Sequence, residues 1–210
     1  MKFTIRHGVA NAGDSGHSRA GVFPLPTGAV IAVADGTGEP AAAGKAAETA
    51  LEFAKELADQ QALRANYEVF QQHLAKMDAA IAADPDASET SLFVAAVSER
   101  GIAGYSVGTC RAWFISEHGA VELTERQVAE PLAGSGKAGL VPFAIQSAVG
   151  HVLVCSEGLW RHADQEQMLA IARGEDLSAA TKSLLALPRL PSGGLHTDVA
   201  VILCQLESGE

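Results

Sequence analysis

The chain has 210 residues, a length that suits one domain with a substantial core over residues 1–210. Hydrophobic residues make up 48% of the chain and charged residues 19%, which predicts a globular protein. The formal net charge of -10 opposes binding to nucleic acid or to an anionic membrane, because both need clustered lysine and arginine side chains.

The sequence also indicates where the protein works. Its longest apolar runs are too short to span a bilayer, and residues 1–20 lack the apolar core of a signal peptide. Three widely spaced cysteines, Cys110, Cys155 and Cys204, lie in apolar runs, which predicts reduced thiols in the core. Together these features predict a cytoplasmic protein without a membrane partner.

The first half of the chain combines strands with two helices. Alternating polar and apolar residues over 2–9 predict an edge strand, and the apolar run 29–34 predicts a buried strand. A loop over 11–19 and a short extended piece over 21–25 are predicted between them. Apolar residues at helical spacing predict helices over 41–60 and 63–83, and the second ends at Asp84-Pro85.

The second half changes to a period of two. Strands over 91–97 and 102–115, followed by 120–123, predict an antiparallel meander with turns at 99–101 and 117–119. Residues 124–142 are predicted to be a loop. The remaining predicted elements are strands over 143–149, 152–155 and 197–206, and helices over 164–173 and 177–187. This order predicts an α+β fold in which helices cover two antiparallel sheets.

One glycine-rich segment matches a nucleotide-binding pattern by letter only. Gly134 to Gly139 reads GSGKAG, but it leads to Val141-Pro142 and not into a helix, as phosphate binding would require. Ala138 stands where a P-loop needs serine or threonine to hold magnesium. The segment is therefore predicted to be a flexible loop.

Three acidic residues lie at the ends of predicted strands. Asp35 follows VIAVA and precedes Gly36, Glu157 follows VLVCS, and Asp198 precedes VAVIL. Carboxylates at strand ends can meet at one edge of a sheet and hold Mg2+ or Mn2+, whose bound water becomes acidic enough to attack phosphorus. The alternative for Asp35 is that it caps the helix that follows it.

The sequence resembles the metal-dependent PP2C-type (PPM) protein serine/threonine phosphatases in their compact bacterial form. The similar segments follow the family order along nearly the whole chain: VADGTG (33–38), ETSLFVAAV (89–97), YSVGTCRAWFI (105–115), VELTER (121–126), VLVCSEGLW (152–160) and HTDVAVILCQL (196–206). The resemblance implies a four-layer α/β/β/α sandwich, in agreement with the predicted order of elements.

The resemblance also implies a site for two Mn2+ or Mg2+ ions. Asp35 would bridge the two ions with help from the Gly36 carbonyl, and Glu157 stands where the family has an aspartate. Register against the last strand puts Thr197 at the third ligand position, with Asp198 one residue later. For an early acidic segment of the family, a loop insertion would let Asp14 serve, whereas a match without a gap places Ala20 there.

Further positions bear on activity. Thr109 replaces a family aspartate near the site, and either Arg6 or Arg19 could bind phosphate. Residues 126–145 are shorter than the family's flap, which implies an open site. The implied function is hydrolysis of phosphoserine or phosphothreonine in the protein substrates of a kinase, by attack of a metal-bridging water with Asp35 and Glu157 as catalytic ligands. Because several acids are replaced, the alternative is a pseudophosphatase that binds a phosphoprotein or partner.

Overall fold

The computed structural model describes residues 2–13, 16–59, 67–146 and 149–207. Within them, the strands are β1 Lys2–Ala10, β2 Ser18–Leu25, β3 Gly28–Gly36, β4 Thr90–Ser98, β5 Gly101–Val107, β6 Arg111–Ser116, β7 Gly119–Glu122, β8 Val141–Gln146, β9 Gly150–Cys155 and β10 Val199–Glu207. The helices are α1 Pro40–Asp59, α2 Tyr67–Ala83, α3 Glu157–Trp160, α4 Gln165–Ala172 and α5 Leu177–Ala186.

The described strands form two antiparallel sheets that pack face to face. One sheet has the order β1-β10-β9-β6-β7 and the other has the order β2-β3-β4-β5-β8. Their inner faces share a buried apolar core that includes Ile31, Phe93, Val154 and Ile202. Helix α1 packs against β2, β3 and β4, whereas α5 packs against β1 and β10, and α4 against β9. This arrangement confirms the predicted α/β/β/α sandwich.

Strand β3 lies in the middle of its sheet, and every residue in it is buried. The apolar run predicted this strand over 29–34, and the structure extends it to Gly36. Helix α1 covers the strand with a face of small side chains, including Ala43, Ala46, Ala47 and Ala50. Small side chains let the helix axis approach the sheet closely, so the end of β3 is held by the core.

The prediction of one strand over Ile102 to Ile115 is wrong. The segment forms β5 and β6, which belong to different sheets, and the meander is therefore split between the two sheets. Gly108 between them has a φ of +88°, a conformation that allows the sharp change of direction and that other residues rarely adopt. Gly108 and Thr109 mark this turn in the sequence, but the apolar residues on both sides of them resemble the pattern of one continuous strand.

Other element boundaries also differ from the predictions. The predicted helix over 63–83 is observed from Tyr67, and residues 60–66 lie outside the described residues. The last strand begins at Val199, so Thr197 and Asp198 precede it. Glu157 is the first residue of the short helix α3, which the sequence pattern did not predict. No described helix combines the length and the apolar character needed to cross a membrane.

Candidate active site

Asp35 carries the last side chain of β3, at the end of this interior strand of the sheet. The register of the neighbouring strands places Ser18 and Ser91 opposite Asp35. A Cβ atom at Gly36 would lie 2.0 Å from the carbonyl oxygen of Ala43, so glycine is needed for α1 to begin this close to the strand. Strand and helix together therefore fix the position of the Asp35 carboxylate.

The environment of Asp35 raises its pKa. Burial is the main cause, because the charged carboxylate loses hydration, and the charge of Glu157 acts in the same direction. A hydrogen bond from Ser18 Oγ to Asp35 Oδ1, the nearby His17 and a backbone hydrogen bond from Glu157 lower the pKa and offset part of the effect. A bound divalent cation would stabilise the charged form further.

Glu157 comes from the other sheet and meets Asp35 at this edge. It follows β9 through Ser156 and begins α3. Its Oε1 accepts a hydrogen bond from Arg161, one helical turn later, and the Arg161 side chain is 63% exposed. Glu157 affects the pKa of Asp35 through both its backbone and its charge, so the two residues lie near each other at this end of the sandwich.

Asp198 is buried at the start of β10, and its carboxylate binds backbone amides. Oδ1 accepts the N–H of Ala12 at 2.7 Å, while Oδ2 accepts the N–H groups of His17 at 2.6 Å and Ser18 at 3.3 Å. The residue is 1% exposed. Its observed hydrogen-bond partners are therefore in the chain that leads into β2, and two of them, His17 and Ser18, also lie beside Asp35.

His17 lies between the candidate acids. Its Nδ1 is 3.4 Å from Asp198 Oδ2, and its Nε2 is 3.1 Å from Thr197 Oγ1 and 3.9 Å from Asp35 Oδ1. His17 and Ser18 were not predicted as site residues. Counting outward from the two-residue turn between Leu25 and Gly28 would have placed Ser18 opposite Asp35, and the neighbouring His17 would have followed from it.

The other sequence candidates that the structure describes make different contacts. The Arg19 guanidinium donates to the carbonyl groups of Gly16 and Ser18, whereas that of Arg6 donates to the neighbouring Ile5 carbonyl. Thr109 Oγ1 lies 3.1 Å from Ser91 Oγ, beside the register partner of Asp35. Ala20 packs into the core between the sheets. Asp14 lies outside the described residues.

The described residues offer few donors for a cation at this end of the sandwich. Across the described residues, no group of three or more His, Cys, Asp or Glu side chains is placed to hold a metal ion. Asp35 and Glu157 provide two carboxylates, and the Gly36 carbonyl is a third candidate oxygen. Mg2+ in proteins is often held by one or two carboxylates, completed by water and phosphate oxygens. A single Mg2+ or Mn2+ ion therefore fits these donors.

The fold is that of the PPM serine/threonine phosphatases, which confirms at the level of fold the resemblance seen in the sequence motifs. The phosphatase MsPP from Mycobacterium smegmatis, solved with cacodylate, has a TM-score of 0.78 and 18% identity, with 97% of this chain and 98% of that chain covered. Stp1 from Staphylococcus aureus has a TM-score of 0.78 and 14% identity over 99% and 95% of the two chains.

A third similar structure contains metal. The catalytic domain of the phosphatase PstP in complex with two manganese ions has a TM-score of 0.77 and 18% identity, with 99% of this chain and all of that chain covered. At such identities the similarity establishes a shared fold. No protein-family model matches the sequence, and no curated protein matches it by sequence.

Proposed function

We propose that this protein is a Mn2+- or Mg2+-dependent phosphatase that acts on phosphoserine and phosphothreonine in proteins phosphorylated by a kinase. The observation that carries the proposal is the proximity of Glu157, which follows β9 of one sheet, to Asp35, at the end of β3 in the other sheet. The similarity of the whole chain to serine/threonine phosphatase structures supports the substrate class. Three free, buried cysteines suit a reducing cytoplasm as the place of action.

The residues at this edge have distinct roles in the proposal. Asp35 and Glu157 hold the cation, with the Gly36 carbonyl as a further ligand. When bound, the ion would acidify a water molecule and neutralise charge on the phosphate. Ser18 holds one oxygen of Asp35 and so orients its carboxylate toward the cation. Arg161 orients Glu157, and its exposed guanidinium is suited to contact a phosphate oxygen.

Hydrolysis of a phosphomonoester and a phosphothreonine peptide tests the proposal. With Mn2+ present, we expect turnover by the wild type and a loss of about 100-fold or more in Asp35→Asn and Glu157→Gln, because removal of a strong electrostatic contact to a transition state costs this much. Asp176→Asn is the matched control, since the described hydrogen bonds of Asp176 are those that cap helix α5 and none of them reaches Asp35 or Glu157. Undetectable turnover by the wild type, or activity that survives Asp35→Asn, would contradict the proposal.

A non-catalytic protein that binds a phosphoprotein or another partner is the second candidate. It is favoured by Thr109 and Thr197, which stand where the resemblance led us to expect acidic residues and whose hydroxyl groups contact Ser91 and His17. Fewer carboxylates bind a cation more weakly and activate its water less. Retained binding of the phosphopeptide without hydrolysis, at saturating Mn2+, would select this candidate over the phosphatase.

A further inference from the structure

The buried carboxylate of Asp198 organises the chain that enters β2. It accepts three backbone N–H groups, from Ala12, His17 and Ser18, at 2.7, 2.6 and 3.3 Å. Charge-assisted hydrogen bonds of this kind are stronger than those between neutral groups. Asp198 belongs to the segment before β10, so these bonds tie together parts of the chain that are about 180 residues apart.

The segment held by Asp198 supplies the contacts to Asp35. Ser18 Oγ donates to Asp35 Oδ1, and the His17 imidazole lies 3.9 Å from the same oxygen. The His17 carbonyl accepts the N–H of Gly36 at 3.0 Å. Two of the three residues that bind Asp198 through their amides thus also contact the end of β3: Ser18 through its hydroxyl group, and His17 through its carbonyl group and imidazole.

We propose that Asp198 is a positioning residue of the metal site: it fixes His17 and Ser18 against Asp35 and is not itself a ligand. Three of its approximately four lone-pair positions are used by backbone amides, and the residue is 1% exposed, so that an ion with its water shell has no access to it. The consequence for metal binding rests on the proposed function, whereas the anchoring of the segment does not.

Asp78 offers a matched control for the loss of such hydrogen bonds. It lies on α2, is 5% exposed, and accepts the N–H groups of Gly134, Gly136 and Ala138 at 2.7, 3.2 and 2.9 Å. The glycine-rich segment thus wraps around a carboxylate of the protein itself. Asp78 and Asp198 share burial and number of amide donors, but the amides bound by Asp78 make none of the described hydrogen bonds to Asp35, Glu157 or His17.

Amide hydrogen exchange of the metal-free protein tests the anchoring. In Asp198→Asn, the amide group of the new side chain faces backbone donors in place of one acceptor oxygen. We expect exchange at Ala12, His17 and Ser18 to become about 10- to 100-fold faster, and Mn2+ affinity to fall by about 10- to 100-fold, the usual effect of losing a residue that supports metal ligands. In Asp78→Asn these three amides and the Mn2+ affinity should stay within about twofold of wild type.

Unchanged exchange at the three amides in Asp198→Asn, or an equal loss of Mn2+ affinity in Asp78→Asn, would overturn the proposal. If Asp198→Asn does not fold, the wild type decides: in a Mg2+ titration followed by carboxyl 13C NMR, the Asp35 and Glu157 signals should move and that of Asp198 should not. A shift of Asp198 as large as that of Asp35 identifies it as a ligand and overturns the proposal. No shift of the Asp35 and Glu157 signals overturns the proposed function. Amide hydrogen exchange of the metal-free protein then still tests whether Asp198 anchors the segment that contains His17 and Ser18.

Discussion

Replacement of Asp35 by asparagine is expected to stabilise the metal-free protein. Burial raises the pKa of the Asp35 carboxyl, so the native state holds its proton to higher pH than the unfolded state, whose ordinary value is 3.8. Stability therefore falls as the pH rises from 3.8 through the folded-state pKa, and above that pKa the whole cost is present. Each pKa unit between the two states costs about 1.4 kcal/mol, which the uncharged asparagine avoids.

Manganese should reverse the order of stability. A ligand that binds only the native state at 100 times its dissociation constant adds about 2.7 kcal/mol. For a chain of this size, 1 kcal/mol corresponds to about 2–4 °C in Tm, so the wild type should gain about 5–11 °C. Asp35→Asn lacks a charged ligand and should gain little. The variant is therefore more stable than wild type in EDTA and less stable in Mn2+.

Thermal and urea unfolding at pH 7.5, in EDTA and in Mn2+, measure both effects. Asp176→Asn serves as the control, because asparagine caps a helix about as well as aspartate, and it should follow the wild type in both conditions. A lower stability of Asp35→Asn than of wild type in EDTA would refute the electrostatic cost of burying Asp35. Equal stabilisation of both proteins by Mn2+ would refute the role of Asp35 in the metal site.

Two further substitutions test the packing and the pH dependence. Gly36→Ala places a Cβ atom 2.0 Å from the Ala43 carbonyl oxygen and should lower the free energy of unfolding in urea by about 1–3 kcal/mol. Gly13→Ala is the control, because no atom lies within 4 Å of its new Cβ, and it should leave the free energy of unfolding unchanged. Equal losses in the two variants would contradict this reasoning. The pKa of His151 is lowered by burial, so the native state binds fewer protons between that pKa and 6.5, and wild-type stability rises with pH over this interval. Urea unfolding from pH 5 to 8 should show a smaller slope for His151→Gln than for wild type or for the exposed control His118→Gln, and parallel curves would contradict it.

The elements that were predicted correctly are those whose secondary structure follows from the residue pattern within the element itself. The strand over 29–34 is fully apolar and its neighbouring helix has apolar residues at helical spacing, so each element can be predicted from its own residues. The failure at Ile102 to Ile115 has a physical cause as well. Apolar residues resume soon after Gly108 and Thr109, so the pattern does not reveal that β5 and β6 belong to different sheets and that the chain turns at Gly108, where φ is positive.

The candidate site was predictable to the extent that it depends on strand ends. Asp35 and Glu157 follow apolar strands, and the fold brings their ends together. Ser18 could have been found by counting pairs from the turn after Leu25. The contacts of Asp198 could not, because the sequence between Ala10 and Ser18 has no periodic pattern, and the amide donors that bind the carboxylate have no signature in the sequence.

The replacement of acidic residues by neutral ones leaves this site with fewer negative charges than the resemblance implies. Thr109 and Thr197 carry hydroxyl groups, so in the proposed function Asp35 and Glu157 are the carboxylates of the described residues that a cation can share. Fewer negative charges attract a cation less strongly, but they also repel a phosphate dianion less. Phosphate oxygens can complete the coordination of an ion held by two carboxylates. Cation and phosphorylated substrate would therefore each strengthen the binding of the other by the same factor, which makes this site dependent on its substrate for a firmly bound ion.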